Sequence, residues 1–315
     1  MRHSRQRATR STILAGSVLL ALSLSACTNA SQAAPEPAGS GASAGANTGA
    51  EAVALNETAR DLLPEEIRAA GTLRVASDPT YAPFEYYDTD NTTMIGYDVD
   101  FSDAVGAALG LEVEHVPATF DTILPGLASG KYDMAMSTFS ITPEREKIVD
   151  FVDYLNGGSG VAVVPGNPQQ ISMDPLSMCG KKIAGQKGSI QSMEYLPAFS
   201  KECTAAGKEP IVIQNFPGQT DANLALTSGR VDAVVADSVS LAYQAKEAGG
   251  QFELAAGEDY EPIPTGIALA KNAGLQEAVT EATRGILDSD YYEEMRAKWG
   301  LPESVLITSE VLDEK

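Results

Sequence analysis

The sequence predicts a two-lobed α/β protein with a cleft between its lobes, and three observations carry that expectation. Beyond residue 60, short runs rich in Val, Ile and Ala alternate with helical patterns, as in units built on largely parallel sheets. That stretch of about 255 residues is long for one hydrophobic core and comfortable for two. An internal echo recurs at a spacing of 99 residues: 127–138, Leu-Ala-Ser-Gly-Lys-Tyr-Asp-Met-Ala-Met-Ser-Thr, against 226–237, Leu-Thr-Ser-Gly-Arg-Val-Asp-Ala-Val-Val-Ala-Asp. Each copy reads as helix, Gly turn, basic residue, Asp and strand, and two copies imply two similar lobes, not a solenoid. Ligands of open α/β sheets sit outside the carboxyl ends of strands. Ser137-Thr138 and Ala236-Asp237 are therefore expected to face one crevice.

The pattern places strands at 73–77, 112–117, 132–137, 160–164, 182–185, 211–215, 231–236 and 266–270. Helices are expected at 98–109, 122–129, 219–228, 238–248, 275–287 and 291–299. Gly110, Gly130 and Gly229 stand just past helical runs, where a left-handed C-cap is wanted.

At the N-terminus, Arg2, Arg5, Arg7 and Arg10 precede an almost unbroken apolar run over 13–24. That is a secretory signal, shorter than the roughly 20 residues a spanning helix needs. Leu24-Ser25-Ala26-Cys27 resembles the lipobox of bacterial lipoproteins. The resemblance implies cleavage after Ala26 and diacylation of Cys27, an anchor in the extracytoplasmic face of the cell membrane. An ordinary secretory signal with an incidental cysteine is the alternative. From 27 to 60 the chain is largely Ala, Gly, Ser, Pro, Asn and Glu, too poor in large apolar residues to order itself. As a flexible tether it would reach roughly 30 Å from the bilayer.

Loss of residues 1–26 removes four Arg and no acid, leaving 18 Lys+Arg against 43 Asp+Glu and a net charge near −25. Such a chain is not expected to bind nucleic acid or an anionic lipid surface. With Cys27 committed to lipid, Cys179 and Cys203 remain in a compartment that permits disulfides. A bridge between them would stabilise by about 3 kcal/mol in the chain-entropy model. Two unpaired thiols are the alternative, and a free-thiol assay separates the two.

The segment 77–85, Ser-Asp-Pro-Thr-Tyr-Ala-Pro-Phe-Glu, follows the first strand and reads as a pocket wall or as a surface loop. Tyr81 suits the pocket, its ring covering an apolar ligand stem, whereas Phe84 reads better as a cap on the lobe's core. Ser137, Thr138 and Ser140 put three hydroxyls on an extended stretch. Thr142 then offers an N-cap and Pro143 a first helical residue, which places Arg145 in the first turn. A guanidinium there is a strong carboxylate site; a surface pairing with Glu144 or Glu146 is the alternative. Gly188-Ser189 again joins a strand to a helix. Asp237 supplies a negative charge opposite Arg145, for a ligand ammonium or for capping the helix that starts at Ser238.

Four segments, 78–85, Ile95-Gly-Tyr-Asp-Val-Asp100, Ser140-Ile-Thr-Pro-Glu-Arg145 and 231–237, together resemble the polar amino-acid-binding proteins of ABC importers, bacterial extracellular solute-binding family 3. The nearest well-known relatives are the histidine, lysine-arginine-ornithine and glutamine binders, and the likeness spans about 71 to 300. It implies a type II periplasmic-binding-protein fold, two α/β lobes hinged on two crossover strands, with lobe 1 at 61–158 and 263–315 and lobe 2 at 159–262. It also implies that Arg145, helped by Ser140 and Ser189, binds an α-carboxylate and Asp237 an α-ammonium. Tyr81 would stack on the ligand, Ile123 line the floor and Asp78 face the ligand side chain. The sequence departs from the family at Ile190, where a second hydroxyl is common, in the glycine-rich run 156–160 before the first crossing strand, and in the Cys179/Cys203 pair.

The function so implied is a monomeric, non-enzymatic receptor, without cofactor or metal, that hands a polar or cationic amino acid to ABC permease subunits. A sensory receptor and a dehydratase on the same fold are the alternatives. Against the enzyme, the chain beyond the signal holds one histidine, His115, and no visible nucleophile-base pair.

Overall fold

A computed structural model describes residues 53–313; the signal, the lipobox and Cys27 lie outside them. The folded part starts before residue 60, where composition placed the tether. Asn56 Oδ1 accepts from the Ala59 N–H (3.1 Å) and caps α1 (Glu57–Asp61), while the Asn56 N–H donates to the Ala108 carbonyl (2.8 Å). Ala59 and Leu63 are buried in the core of the first lobe, so this polar-looking segment is ordered by docking.

After α2 (Glu65–Ala70) come β1 (Thr72–Ser77), a small antiparallel sheet of β2 (Thr80–Tyr81), β3 (Glu85–Tyr87) and β4 (Met94–Ile95), α3 (Tyr97–Leu109), β5 (Glu112–Pro117), α4 (Phe120–Ala128), β6 (Met134–Ser140) and α5 (Pro143–Glu146). The chain crosses on β7 (Val149–Val163) into β8 (Lys182–Gln186), a π turn (Gln191–Tyr195) continuous with α6 (Leu196–Ala205), β9 (Val212–Phe216), α7 (Gln219–Thr227), β10 (Ala233–Asp237), α8 (Ser238–Glu247) and β11 (Glu253–Leu254). It returns on β12 (Tyr260–Ala270) to α9 (Gln276–Leu287) and α10 (Asp290–Trp299).

One sheet of order β5-β1-β6-β12-β7-β10-β8-β9 runs through both lobes, with β11 also on β7. The pairs β1–β5, β1–β6, β8–β9 and β8–β10 are parallel, whereas β7 and β12 cross antiparallel from Val149↔Ala270 to Ser159↔Tyr260. Strand alternation divides each lobe into two cores. In the first, Val75, Met134, Met136, Ile267 and Leu269 face α3, α9 and α10, while Ala76, Ala135 and Ala268 face α4. In the second, Val161, Val163, Ile183, Ala233 and Val235 pack under α6, and Ala162, Ala184, Val234 and Ala236 pack against α7 and α8.

The internal echo has a structural cause. Asp133 Oδ2 accepts from Arg74 N (2.9 Å), one residue ahead of Val75, the first paired position of the neighbouring parallel strand, and Asp232 Oδ2 does the same for Lys182 N (2.8 Å), one residue ahead of Ile183. Each lobe thus uses its Asp to start one parallel pair.

The glycine-rich run is part of the crossing strand, not a loop ahead of it. Asn156 and Gly157 pair with Pro264 and Ile263, and a Cβ on Gly158 would stand 2.6 Å from Asp259 Cβ, so glycine lets the two crossing segments approach. The expected lobe boundaries, 158/159 and 262/263, fall within β7 and β12. Cys179 and Cys203 are joined in a disulfide (Sγ–Sγ 2.04 Å) beside α6.

Gly96 fixes the wall loop. A Cβ there would stand 2.0 Å from the Phe84 carbonyl oxygen, and its φ of +141° is glycine territory. The adjoining amides, Tyr97 N and Asp98 N, take the carbonyls of Pro83 (3.0 Å) and Phe84 (2.9 Å). Gly96→Ala is expected to lower unfolding free energy by more than about 2 kcal/mol, measured by urea denaturation. An unchanged midpoint would show that this approach is dispensable.

Candidate functional site

The carboxyl ends of β6, β8 and β10, with the first turn of α4, converge on one small cavity. The first lobe brings Tyr81, Phe120, Ser137, Thr138, Ser140 and Arg145; the second brings Gln186, Ser189, Ile190, Gln191 and Asp237. The lobes are closed on each other. Across the seam the Asp237 N–H donates to Tyr81 Oη (3.0 Å), Gln219 N to Thr80 Oγ1 (3.1 Å) and Ser240 Oγ to the Ala82 carbonyl (2.8 Å). Lys187 of the second lobe pairs with Asp121 of the first at 2.8 Å.

Arg145 and Asp237 face this cavity without pairing directly. The guanidinium donates to the carbonyls of Ser140 (2.7 Å) and, across the seam, Gly188 (3.0 Å). It also lies over the Phe120 and Phe139 rings, 5.6 Å from each centroid. Burial lowers its pKa to about 10, opposed by the charges of Asp237 and Glu194, so it stays cationic at neutral pH. Glu144 instead pairs with Lys147 at 2.6 Å, which leaves the surface pairing imagined for Arg145 unused. The helix carrying Arg145 is one turn long, Thr142 Oγ1 capping its N–H at 3.3 Å.

Asp237 occupies the N-cap position of α8 but makes no side-chain cap bond. Its Oδ1 accepts from Gln191 Nε2 (2.7 Å), an amide that also donates to Ser159 Oγ (3.0 Å). Enclosure raises its pKa to about 6, opposed by hydrogen bonds from Tyr81 and Gln191 and by the charge of Arg145. A cation and an anion thus wait on opposite walls, each held by neutral dipoles.

Two expected residues sit elsewhere. Ile123 is fully buried in the core between α4 and the sheet, because α4 turns it a helical step away from the cavity; Phe120, at the start of α4, takes the wall. Asp78 lies behind the cavity, its oxygens accepting from Thr80 Oγ1 (2.9 Å), Phe120 N (2.9 Å) and, across the seam, Gln186 Nε2 (3.0 Å). Burial pushes its carboxyl up while these three donors oppose the shift. Phe84 is buried and packs beside Tyr81 and Tyr97. Ser189 Oγ accepts from Ser192 N (3.2 Å), leaving its hydroxyl proton for the cavity.

Phe120, Gln186 and Gln191 were missed by sequence reasoning. Applying the strand-end rule to β5 and β8, as was done for β6 and β10, would have found the first two.

Among the described residues no helix is long and apolar enough to cross a membrane, and no group of His, Cys, Asp and Glu gathers to hold a metal ion.

The geometry has known counterparts. Residues 73–302 match the model of the bacterial extracellular solute-binding proteins, family 3. The arginine-binding protein ArgT of Corynebacterium glutamicum is 31% identical over 245 residues, 78% of this chain and 79% of that protein. An ancestral arginine-binding protein bound to arginine superposes with a TM-score of 0.66 at 33% identity, covering 73% of this chain and 98% of the other. The ancestral amino acid-binding protein AncCDT-1, a precursor of cyclohexadienyl dehydratase, gives the same TM-score at 33% identity over 75% and 98%. With two lobes crossed by β7 and β12 and a polar cavity at their seam, the chain has the type II periplasmic-binding-protein fold and belongs to the bacterial extracellular solute-binding proteins, family 3.

Proposed function

We propose that this protein is the lipid-anchored receptor of an ABC importer, capturing an amino acid between its lobes on the extracytoplasmic side and delivering it to the permease. The observation that carries this reading is the unpaired opposition of Arg145 and Asp237 across one closed cavity. A free α-amino acid offers the two charges that complete it. Arg145 presents a fork to the carboxylate, with the Ser140 and Ser189 hydroxyls beside it, and Asp237 takes the ammonium. Phe120 and Tyr81 cover the aliphatic stem, while Ser137 and Thr138 border it.

At the far end of the ligand, Gln186 supplies an amide dipole, and Asp78 lies one hydrogen bond behind it. That lining favours a polar or cationic side chain, in keeping with the arginine named in two of the three relatives above. The anchor is the acylated Cys27, and the tether spaces the lobes from the bilayer.

Turnover of a small carboxylic acid finds little support. His115, the sole histidine of the described residues, is on β5 bonded to Asp103 (2.9 Å) and does not line the cavity.

A thermal-shift panel of the twenty amino acids with ornithine and citrulline tests the reading. A ligand at 100 times its Kd stabilises by about 2.7 kcal/mol, so arginine or another polar amino acid is expected to raise Tm by several degrees. No shift with any of them would overturn amino-acid capture.

A further inference from the structure

Strand alternation should send Ser137 and Thr138 to opposite faces of β6, yet both line the cavity together with Ser140. The chain achieves this at Thr138, whose φ is +51°, a left-handed conformation that a β-branched residue adopts only when its surroundings impose it. The ladder breaks there too: β12 pairs with Ser140, Phe139, Ala135 and Met134, its register shifting between Gly266 and Ala268.

What imposes it is Asp98, in the first turn of α3 and 1% exposed. Asp98 Oδ2 accepts both the N–H (2.9 Å) and the hydroxyl (3.3 Å) of Thr138, and Oδ1 accepts from Tyr154 Oη (2.8 Å). Glu85, fully buried, completes the support: its Oε1 accepts from the Ser137 hydroxyl (2.5 Å). Burial, and then the charge of Asp98, drive the Glu85 carboxyl well above its ordinary range. Asp98 thus accepts from three neutral donors of Thr138 and Tyr154 and does not itself line the cavity.

We propose that Asp98 is a positioning residue of the solute site: by holding the N–H and hydroxyl of Thr138 it keeps the left-handed turn that presents Ser137, Thr138 and Ser140 to the ligand together. The proposal rests on reading this cavity as the amino-acid site. Glycine adopts a φ near +51° unaided, so the requirement for Asp98 should vanish when residue 138 is glycine.

The test is a double-mutant cycle in calorimetry, using whichever amino acid binds the wild type. Asp98→Asn keeps the shape but leaves one acceptor oxygen where three donors converge. It is expected to weaken binding at least tenfold in the wild type and less than threefold in a Thr138→Gly background. Equal losses in both backgrounds, or no loss in either, would overturn the proposal. If Asp98→Asn alone does not fold, Thr138→Gly with Asp98→Asn should fold and bind within threefold of Thr138→Gly; failure of that pair to fold or bind counts against it. Glu85→Gln, which keeps an acceptor oxygen for the Ser137 hydroxyl, is expected to restore what Glu85→Leu loses, and equal loss from both would remove Glu85 from the support. A wild type that binds no amino acid would instead fail the functional reading, independently of Asp98.

Discussion

Replacing Arg145 with alanine is expected to weaken amino-acid binding at least a hundredfold in calorimetry. The substitution leaves a ligand carboxylate in a closed cavity with only hydroxyls to meet it, a cost of about 3 kcal/mol or more. It also removes the bond to the Gly188 carbonyl across the seam, so part of the loss is expected to appear as weaker closure. Arg145→Lys separates the parts. It keeps a charge without the fork and is expected to recover some affinity but not all. Unchanged affinity in Arg145→Ala would remove the carboxylate site from this cavity.

The second large effect comes from Asp237 and is read through pH. Its folded-state pKa is raised from 3.8 to about 6, so the empty protein binds a proton there more tightly than the unfolded chain does. Its contribution to stability is therefore fully present below the unfolded value and is lost as pH rises through about 6. Asp98, also near 6 because of burial, acts in the same window and the same direction. A ligand ammonium needs the anionic form of Asp237, so affinity is expected to fall about tenfold between pH 7 and pH 5. Asp237→Asn is expected to lose ten- to a hundredfold in affinity at pH 7 and to flatten that pH dependence. An Asp237→Asn variant with wild-type affinity and an intact pH profile would place the ammonium elsewhere.

The central parallel strands and most of the long helices were legible because their residues obey local rules. Val, Ile and Ala alternate along β1, β8 and β10, Gly110 closes α3 in a left-handed cap, and Gly130 and Gly229 are left-handed just past α4 and α7. The shared crevice was legible because the echoed segments end on Thr138 and Asp237, and both line the cavity. What escaped depends on contacts between distant parts of the chain. The middle of β7 reads as a loop, since Asn156, Gly157 and Gly158 have low strand propensity, and β12 holds Asn156 and Gly157 in the ladder. The sheet of β2, β3 and β4 is too short to show a period, and α6 begins through a π turn and a proline at 197.

Arg145 and Asp237 stand out in the sequence because charge next to a strand end or helix start is unusual on its own, and both line the cavity. Phe120 stands ahead of the helix start expected at residue 122, and Ile123 was placed at the floor by the family resemblance alone. The left-handed Thr138 could not have been read locally, because its own preference opposes the conformation and the residue that enforces it, Asp98, is 40 positions away.

The most direct test of the charge clamp is calorimetry of the wild type with L-arginine, L-argininamide and Nα-acetyl-L-arginine, or the same derivatives of whichever amino acid binds best. The amide lacks the carboxylate that Arg145 meets, and the acetyl derivative lacks the ammonium that Asp237 meets. Each is expected to bind at least a hundredfold more weakly than the parent, and the amide's deficit should largely disappear in Arg145→Ala. Derivatives that bind the wild type as tightly as the free amino acid would contradict a clamp built from these two charges.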